Sequence, residues 1–166
     1  MDYEKNGNQP LHRLMFDSQS VLLADQKLDD CGRFGWDSPL INNLLEDLII
    51  AIRSLQTQFP ALGKAVIKRT LKGFHVVFPD SKLPFWMVEY LTQKCPHDFG
   101  QLFWSMTHRR VTLRISEKPI IKTKGKNYNV RIARRIIHDR PQIIRIIYPD
   151  GKVLYRKEIE ERFGDV

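Results

Sequence analysis

The stretch KAVIKRTLKGFHVVFP, residues 64–79, decides the fold. KAVIKRT (64–70) and GFHVVFP (73–79) are rich in β-branched and aromatic residues and are separated by Leu71, Lys72 and Gly73. They read as the two strands of a hairpin, with Pro79 ending the second. Side chains alternate across a strand, so Phe74, Val76 and Phe78 share an apolar face and His75 points to the other. Lys68 and Thr70 belong to that second face, which makes it basic and polar where the first is greasy.

Upstream of the hairpin, residues 38–58 have apolar residues at 40, 41, 44, 45, 48, 49, 52 and 55, the spacing of one helical face. Ser38 suits the N-cap and Pro39 the first helical position. Before the helix, SVLLAD (20–25) reads as a short buried strand with Asp25 at its end. Residues 1–13 are polar, contain Gly7 and Pro10, and are expected to be a flexible N-terminus. Downstream, Ser81 and Pro84 open a helical segment that stops before Pro96, and a second short helix is expected over 97–106. RRVTLRIS (109–116) alternates Val111, Leu113 and Ile115 with Arg110, Thr112, Arg114 and Ser116, as a half-buried strand does.

Strand, helix, strand, strand, helix, strand is the order of an α+β fold. It predicts a ferredoxin-like, RNA-recognition-motif-like βαββαβ core over 14–119, with an antiparallel sheet covered by helices on one face. In that topology the first and third strands are neighbours, which puts Asp25 near His75 and the 109–116 strand on the far side of the first. Residues 120–166 form a basic C-terminal extension packed on or beside this core. It contains KTKGKNYNVRIARRIIHDR (122–140), expected as a loop and then a helix over 129–138. The segment QIIRIIYPDGKVLYR (142–156) follows as a hairpin turning at Pro149, Asp150 and Gly151, and then the charged KEIEERFG.

The chain has 166 residues, 42% of them hydrophobic, enough for one domain with a real core. No run approaches the roughly eighteen apolar residues of a membrane span, and MDYEKNGNQPLHR is no secretory signal. A soluble, intracellular protein without a membrane partner is expected. Cys31 and Cys95 have no CxxC spacing and are read as ordinary thiols, and Cys95-Pro96-His97 lacks a second ligand pair for zinc. There is no GxSxG, P-loop or HExxH, and GRFGWD (32–37) is no nucleotide cradle. Phe85, Trp86, Phe103 and Trp104 are expected to fill the core, leaving Tyr128 and Tyr148 as the candidates for stacking on bases.

The net charge of +8 is unevenly placed. Residues 1–106 carry 11 Lys and Arg against 12 Asp and Glu, whereas residues 107–166 carry 16 against 7. A basic excess confined to one region suits a surface that meets polyanions, because each neutralised phosphate releases counterions. Phosphate ligands are expected from Lys68, Arg69, Lys72, His75, Arg110, Arg114, Ser116 and Lys118, with Thr70 and Thr112 on the same face. Lys122, Lys124, Lys126, Arg131, Arg134 and Arg135 are placed to track a nucleic-acid backbone. Asp25, with Asp17, Asp29 or Asp30, is the best candidate for a metal-binding catalytic acid, but Lys27 stands where a strand-spaced second acid belongs.

These residues resemble the archaeo-eukaryotic primase superfamily. VLLAD before a long helix is similar to its first motif, an apolar strand ending in paired metal-binding acids. KRTLKGFHVVF (68–78) is similar to its second, a strand-borne histidine that contacts nucleotide phosphates, and VTLRISEKP falls where the third belongs. The resemblance covers residues 20–119 and is greatest to small, divergent primase-like proteins of archaeal viruses and plasmids. It implies an RNA-recognition-motif-like catalytic fold, with His75 as the phosphate-binding histidine and Asp25 as the first acid. The second acid is replaced by Lys27, and no acid stands among residues 112–116, so the metal site it implies is incomplete.

The leading expectation is a protein that binds nucleic acid, DNA before RNA, or nucleotides, and serves DNA replication or maintenance of a genetic element. A replication protein is a further possible partner. The alternatives are an active primase-polymerase, a nucleotidyltransferase needing Mg or Mn, and a non-enzymatic adaptor whose basic tail meets a protein.

Overall fold

The computed structural model describes residues 10–19, 39–70, 73–113, 118–124 and 132–166. The fold is α+β, with a five-stranded antiparallel sheet, consistent with a ferredoxin-like core. Its first half is β1 (His12–Gln19), α1 (Pro39–Gln58), β2 (Ala65–Arg69) and β3 (Gly73–Leu83). Strand β3 lies between β1 and β2 and is antiparallel to both, so β1 and β2 run parallel with the hairpin partner inserted between them. This is the split β-α-β unit of ferredoxin-like folds.

Helix α1 forms where its periodicity says it should. Ile41, Leu44, Leu45, Leu48, Ile52 and Leu55 are buried against one sheet face, made by Leu14 and Phe16 of β1, Ala65 and Ile67 of β2, and Phe74, Val76 and Phe78 of β3. Each fully buried side chain of this kind contributes about 1.5–3 kcal/mol. Pro60 ends the helix, since it cannot donate to the ladder, and a short 3₁₀ turn over Pro60–Leu62 leads into β2. Gln56 ties the helix to the sheet: its buried amide donates to the carbonyls of Gly63 (3.1 Å) and Ile147 (2.8 Å). Gln56→Ala strands both carbonyls, and a loss of about 1–3 kcal/mol in urea unfolding is expected.

The sheet departs from the sequence expectation in four places. The first strand is His12–Gln19, which lies ahead of the predicted 20–25 and takes in the end of the supposed flexible terminus; residues 20–38, with Asp25, Asp29 and Asp30, lie outside the described residues. Strand β3 does not stop at Pro79 but runs on to Leu83. The proline is tolerated because pairing with β2 ends at Val77 and the β1 register shifts between His12 and Leu14. The Ser81 hydroxyl fills that irregularity, accepting from the Leu14 amide (2.8 Å) and donating to the Phe78 carbonyl (2.6 Å).

The third departure is the predicted strand at 109–116. Helix α2 (Phe85–Gln93) is followed by α3 (Phe99–His108), and Arg109 then takes a left-handed conformation at φ 52°. Residues 110–113 form no strand, and 114–117 lie outside the described residues. The outer side of β1 is used by α3 instead. The Asp17 amide donates to the Gln101 side chain (2.7 Å), and the Asp17 carbonyl accepts from the Asp98 amide (2.7 Å).

The fourth departure concerns the C-terminal region. β6 (Gln142–Ile147) pairs with β2, and β7 (Val153–Tyr155) pairs with β6, giving the order β1-β3-β2-β6-β7. The β6–β7 hairpin is therefore part of the sheet. The expected turn is present: Gly151, at φ 93°, donates to the Tyr148 carbonyl, and the Asp150 carboxylate accepts from the Lys152 amide. Helix α4 (Arg156–Phe163) covers the opposite face at this end, where Ile159 packs with Val66, Ile146 and Leu154. Arg156 fastens it, donating to the Ile143 carbonyl (2.7 Å) and to the carboxylates of Glu160 and Asp165 (2.8 Å each).

The segment between α3 and β6 holds a separate two-stranded sheet, β4 (Lys118–Lys124) with β5 (Ile132–Asp139). The expected helix over 129–138 is thus a strand from Ile132 onward. IARRII satisfies either periodicity, and pairing with the β-prone strand just before it, PIIKTK, decides for the strand.

Candidate nucleic-acid interface

On the sheet face turned away from α1, Asp17, His75 and Lys68 stand in one cross-strand row. The Asp17 amide and carbonyl are spent on α3, so Asp17 and His75 form the non-hydrogen-bonded kind of pair, in which side chains approach most closely. His75 Nε2 lies 3.7 Å from Asp17 Oδ1. Sequence parity placed His75 and Lys68 on a shared face correctly but described that face as open. His75 is only 7% exposed, so it is a positioned, interior imidazole beside a carboxylate and not a group displayed at the surface. Thr70 is buried as well, and Lys68 is half-buried.

Arg69 belongs to the other face. Its guanidinium donates to the Gly73 carbonyl (3.0 Å) and lies 5.3 Å from the centroid of the Phe74 ring. It is buried, so the expectation that it displays a free cation beside His75 is corrected: the side chain braces the hairpin it grows from. Lys72, Arg114 and Ser116 lie outside the described residues. Arg110 and Thr112 are exposed but on the chain leaving α3, not on a strand beside His75.

Four of the six backbone-tracking candidates, Lys122, Lys124, Arg134 and Arg135, lie on the separate ribbon, together with Lys118, expected as a phosphate ligand. Lys118, Lys122 and Lys124 lie on β4, Arg134 and Arg135 on β5, and the register sets Lys122 opposite Arg135. Lys126 and Arg131 lie outside the described residues, in the connection between the two strands. From 118 to 138 the sequence has seven Lys and Arg and no acid; Asp139, opposite Lys118, closes the interval.

Among the described residues no group of three or more His, Cys, Asp and Glu is arranged to hold a metal. Asp17 is the one proposed metal-binding acid that falls within them. His97 Nδ1 meets the Cys95 carbonyl at 2.8 Å, and the Cys95 thiol is buried, with desolvation pushing its pKa up to about 12. Native Cys95 is therefore expected to resist iodoacetamide near pH 8 and to react once unfolded, as peptide mapping would detect. Its raised pKa favours the fold fully below the unfolded value of about 9, and that contribution is lost as pH climbs toward about 12.

Two features were missed by sequence reasoning. Trp86 (65% exposed) and Phe103 (64% exposed), expected in the core, stand in solvent, whereas Tyr148, expected to be available for stacking, packs against the Val66 and Ile159 cluster. A groove of about 350 Å³ between α1 and the β6–β7 hairpin contains Arg53, Arg145 and Tyr155. Arg145 stacks on Tyr155 at 4.6 Å, and burial draws its pKa below the ordinary value. Among the described residues no helix is long and apolar enough to cross a membrane.

No family model, no curated protein and no solved structure matches this chain.

Proposed function

We propose that the protein binds nucleic acid, DNA in preference to RNA, chiefly through the phosphate backbone, in replication or maintenance of a genetic element. The carrying observation is the β4–β5 ribbon, with its acid-free run of seven cations and Lys122 directly opposite Arg135. Like charges at opposed positions of a two-stranded sheet oppose pairing, and an isolated ribbon is marginal in water. A polyanion removes both costs. The B-form major groove admits a two-stranded ribbon, whereas the deep, narrow major groove of A-form RNA does not, which supports DNA as the ligand.

In this reading the five-stranded sheet is the scaffold and His75 a positioning residue within it. The primase-like alternative keeps Asp17 beside His75 as the start of an acidic site at which Mg or Mn would support nucleotidyl transfer. One paired assay separates the readings: binding to labelled duplex and single strands, and metal-dependent nucleotide incorporation on a primed template. Binding without incorporation supports the proposal. Incorporation abolished by Asp17→Asn supports the alternative, and the absence of any binding contradicts both.

A further inference from the structure

Helices α2 and α3 turn aromatic faces to solvent. On α2, Trp86 and Tyr90 stand one turn apart on the outer face, while Val88, Leu91 and Thr92 are buried. On α3, Phe99, Phe103 and Met106 follow at helical spacing and are exposed, Phe99 to 72%, while Leu102 and Ser105 are buried. Trp104 is also exposed, on a neighbouring side of α3 about 100° around the helix from Phe103. The two helices adjoin, and large apolar side chains exposed on neighbouring elements are what a ligand-binding patch requires.

Cations are threaded among the rings. The Lys94 ammonium, one turn beyond Tyr90, lies 4.8 Å from that ring's centroid. The Arg110 guanidinium lies 5.9 Å from the Trp104 ring, and His108 stacks on Trp104 with centroids 4.1 Å apart. The left-handed turn at Arg109 ends α3 with Arg109 and Arg110 both exposed. From 99 to 113 the sequence has no acid.

We propose that this α2–α3 face binds single-stranded nucleic acid, with bases stacking on the exposed rings and phosphates meeting Lys94, Arg109 and Arg110. Every base has a π-face, so such stacking is tolerant of sequence, and the interleaved cations satisfy the backbone that joins the bases. Charge disfavours a second copy of this chain as the occupant, because a two-fold interface here would bring Lys94, Arg109 and Arg110 of each copy together with only Glu89 and Asp98 on these helices to offset them. The inference rests on the nucleic-acid reading and adds to it a second surface, specific for unpaired bases. A ribbon that takes duplex and a face that takes single strand would together suit the edge of an opened duplex.

The test compares an oligothymidylate, an abasic phosphodiester strand of equal length and a duplex, by fluorescence anisotropy and tryptophan quenching. The base-bearing strand is expected to quench tryptophan emission and to bind about tenfold or more tighter than the abasic strand. Trp86→Ala with Phe103→Ala should abolish that difference and leave duplex affinity unchanged; both side chains are exposed, so the fold is kept. Equal affinity of the native protein for base-bearing and abasic strands overturns the inference while leaving the ribbon reading intact. So does a double variant that keeps the difference but loses a self-association seen by sedimentation, which would assign the face to a second copy. Failure to bind any of the three ligands overturns both.

Discussion

Gly73→Ala is expected to destabilise the protein by about 3 kcal/mol or more, seen as a large fall in the urea midpoint with little change in slope. A β-carbon at Gly73 would stand 2.0 Å from the Ser18 carbonyl oxygen and 3.1 Å from its carbon. These are backbone atoms of β1, not the end of a flexible side chain, so the strands themselves must separate. β1 has little room to retreat, because its outer side is hydrogen-bonded to Asp98 and Gln101. The damage falls on the end of the sheet where Phe74, His75 and Arg69 are placed. Gly100→Ala is the control: its β-carbon meets only the Asp98 carboxylate at 3.5 Å, so the better helix former should be neutral or mildly stabilising. An unchanged midpoint for Gly73→Ala would mean that β1 and β3 do not pack as described.

The second large effect is on binding. Lys122→Gln, Arg134→Gln and Arg135→Gln combined should weaken DNA binding on the order of a hundredfold or more at moderate salt, uniformly across sequences. The log–log salt dependence should become shallower by about one unit for each cation that had met a phosphate. Thermal stability should change little, since β4 and β5 pair with one another and are not strands of the five-stranded sheet. A variant that binds as tightly as the native chain would remove the ribbon from the interface.

The sequence was most legible where a local pattern had one solution. Helix α1 was readable because its apolar spacing has a single period and Pro39 suits the first helical position. The 64–79 hairpin and the turn at Pro149–Gly151 were readable from β-rich runs and turn residues. What could not be read from one segment alone depended on its pairing partner. HRLMFDSQ is a strand because Leu14 and Phe16 find the inner face of β3, a partner that its own sequence does not announce, while VLLAD lies outside the described residues. IARRII is a strand because 118–124 pairs with it. The place expected for a fourth strand beside β1 is served instead by one backbone amide and one glutamine side chain, which no periodicity announces.

The candidate site divides in the same way. Parity alone put Lys68 and His75 on one face, but the burial of His75 follows from its neighbours. Among them is Asp17, whose strand was not recognised. The aromatic face carried a signal that was open to reading. Trp86 and Tyr90 share helical spacing with each other and stand opposite Val88 and Leu91, so α2 has two apolar stripes and the core needs one.

The central claim is that this protein holds nucleic acid mainly by its phosphates. Its most direct test is the affinity of the native chain for a short DNA duplex between about 50 and about 200 mM salt. The account predicts a linear fall of log K against log salt with a slope of about −4 or steeper, corresponding to several phosphates neutralised, and a slope that is the same for unrelated sequences. A slope near zero, or no binding at the lowest salt, would contradict it.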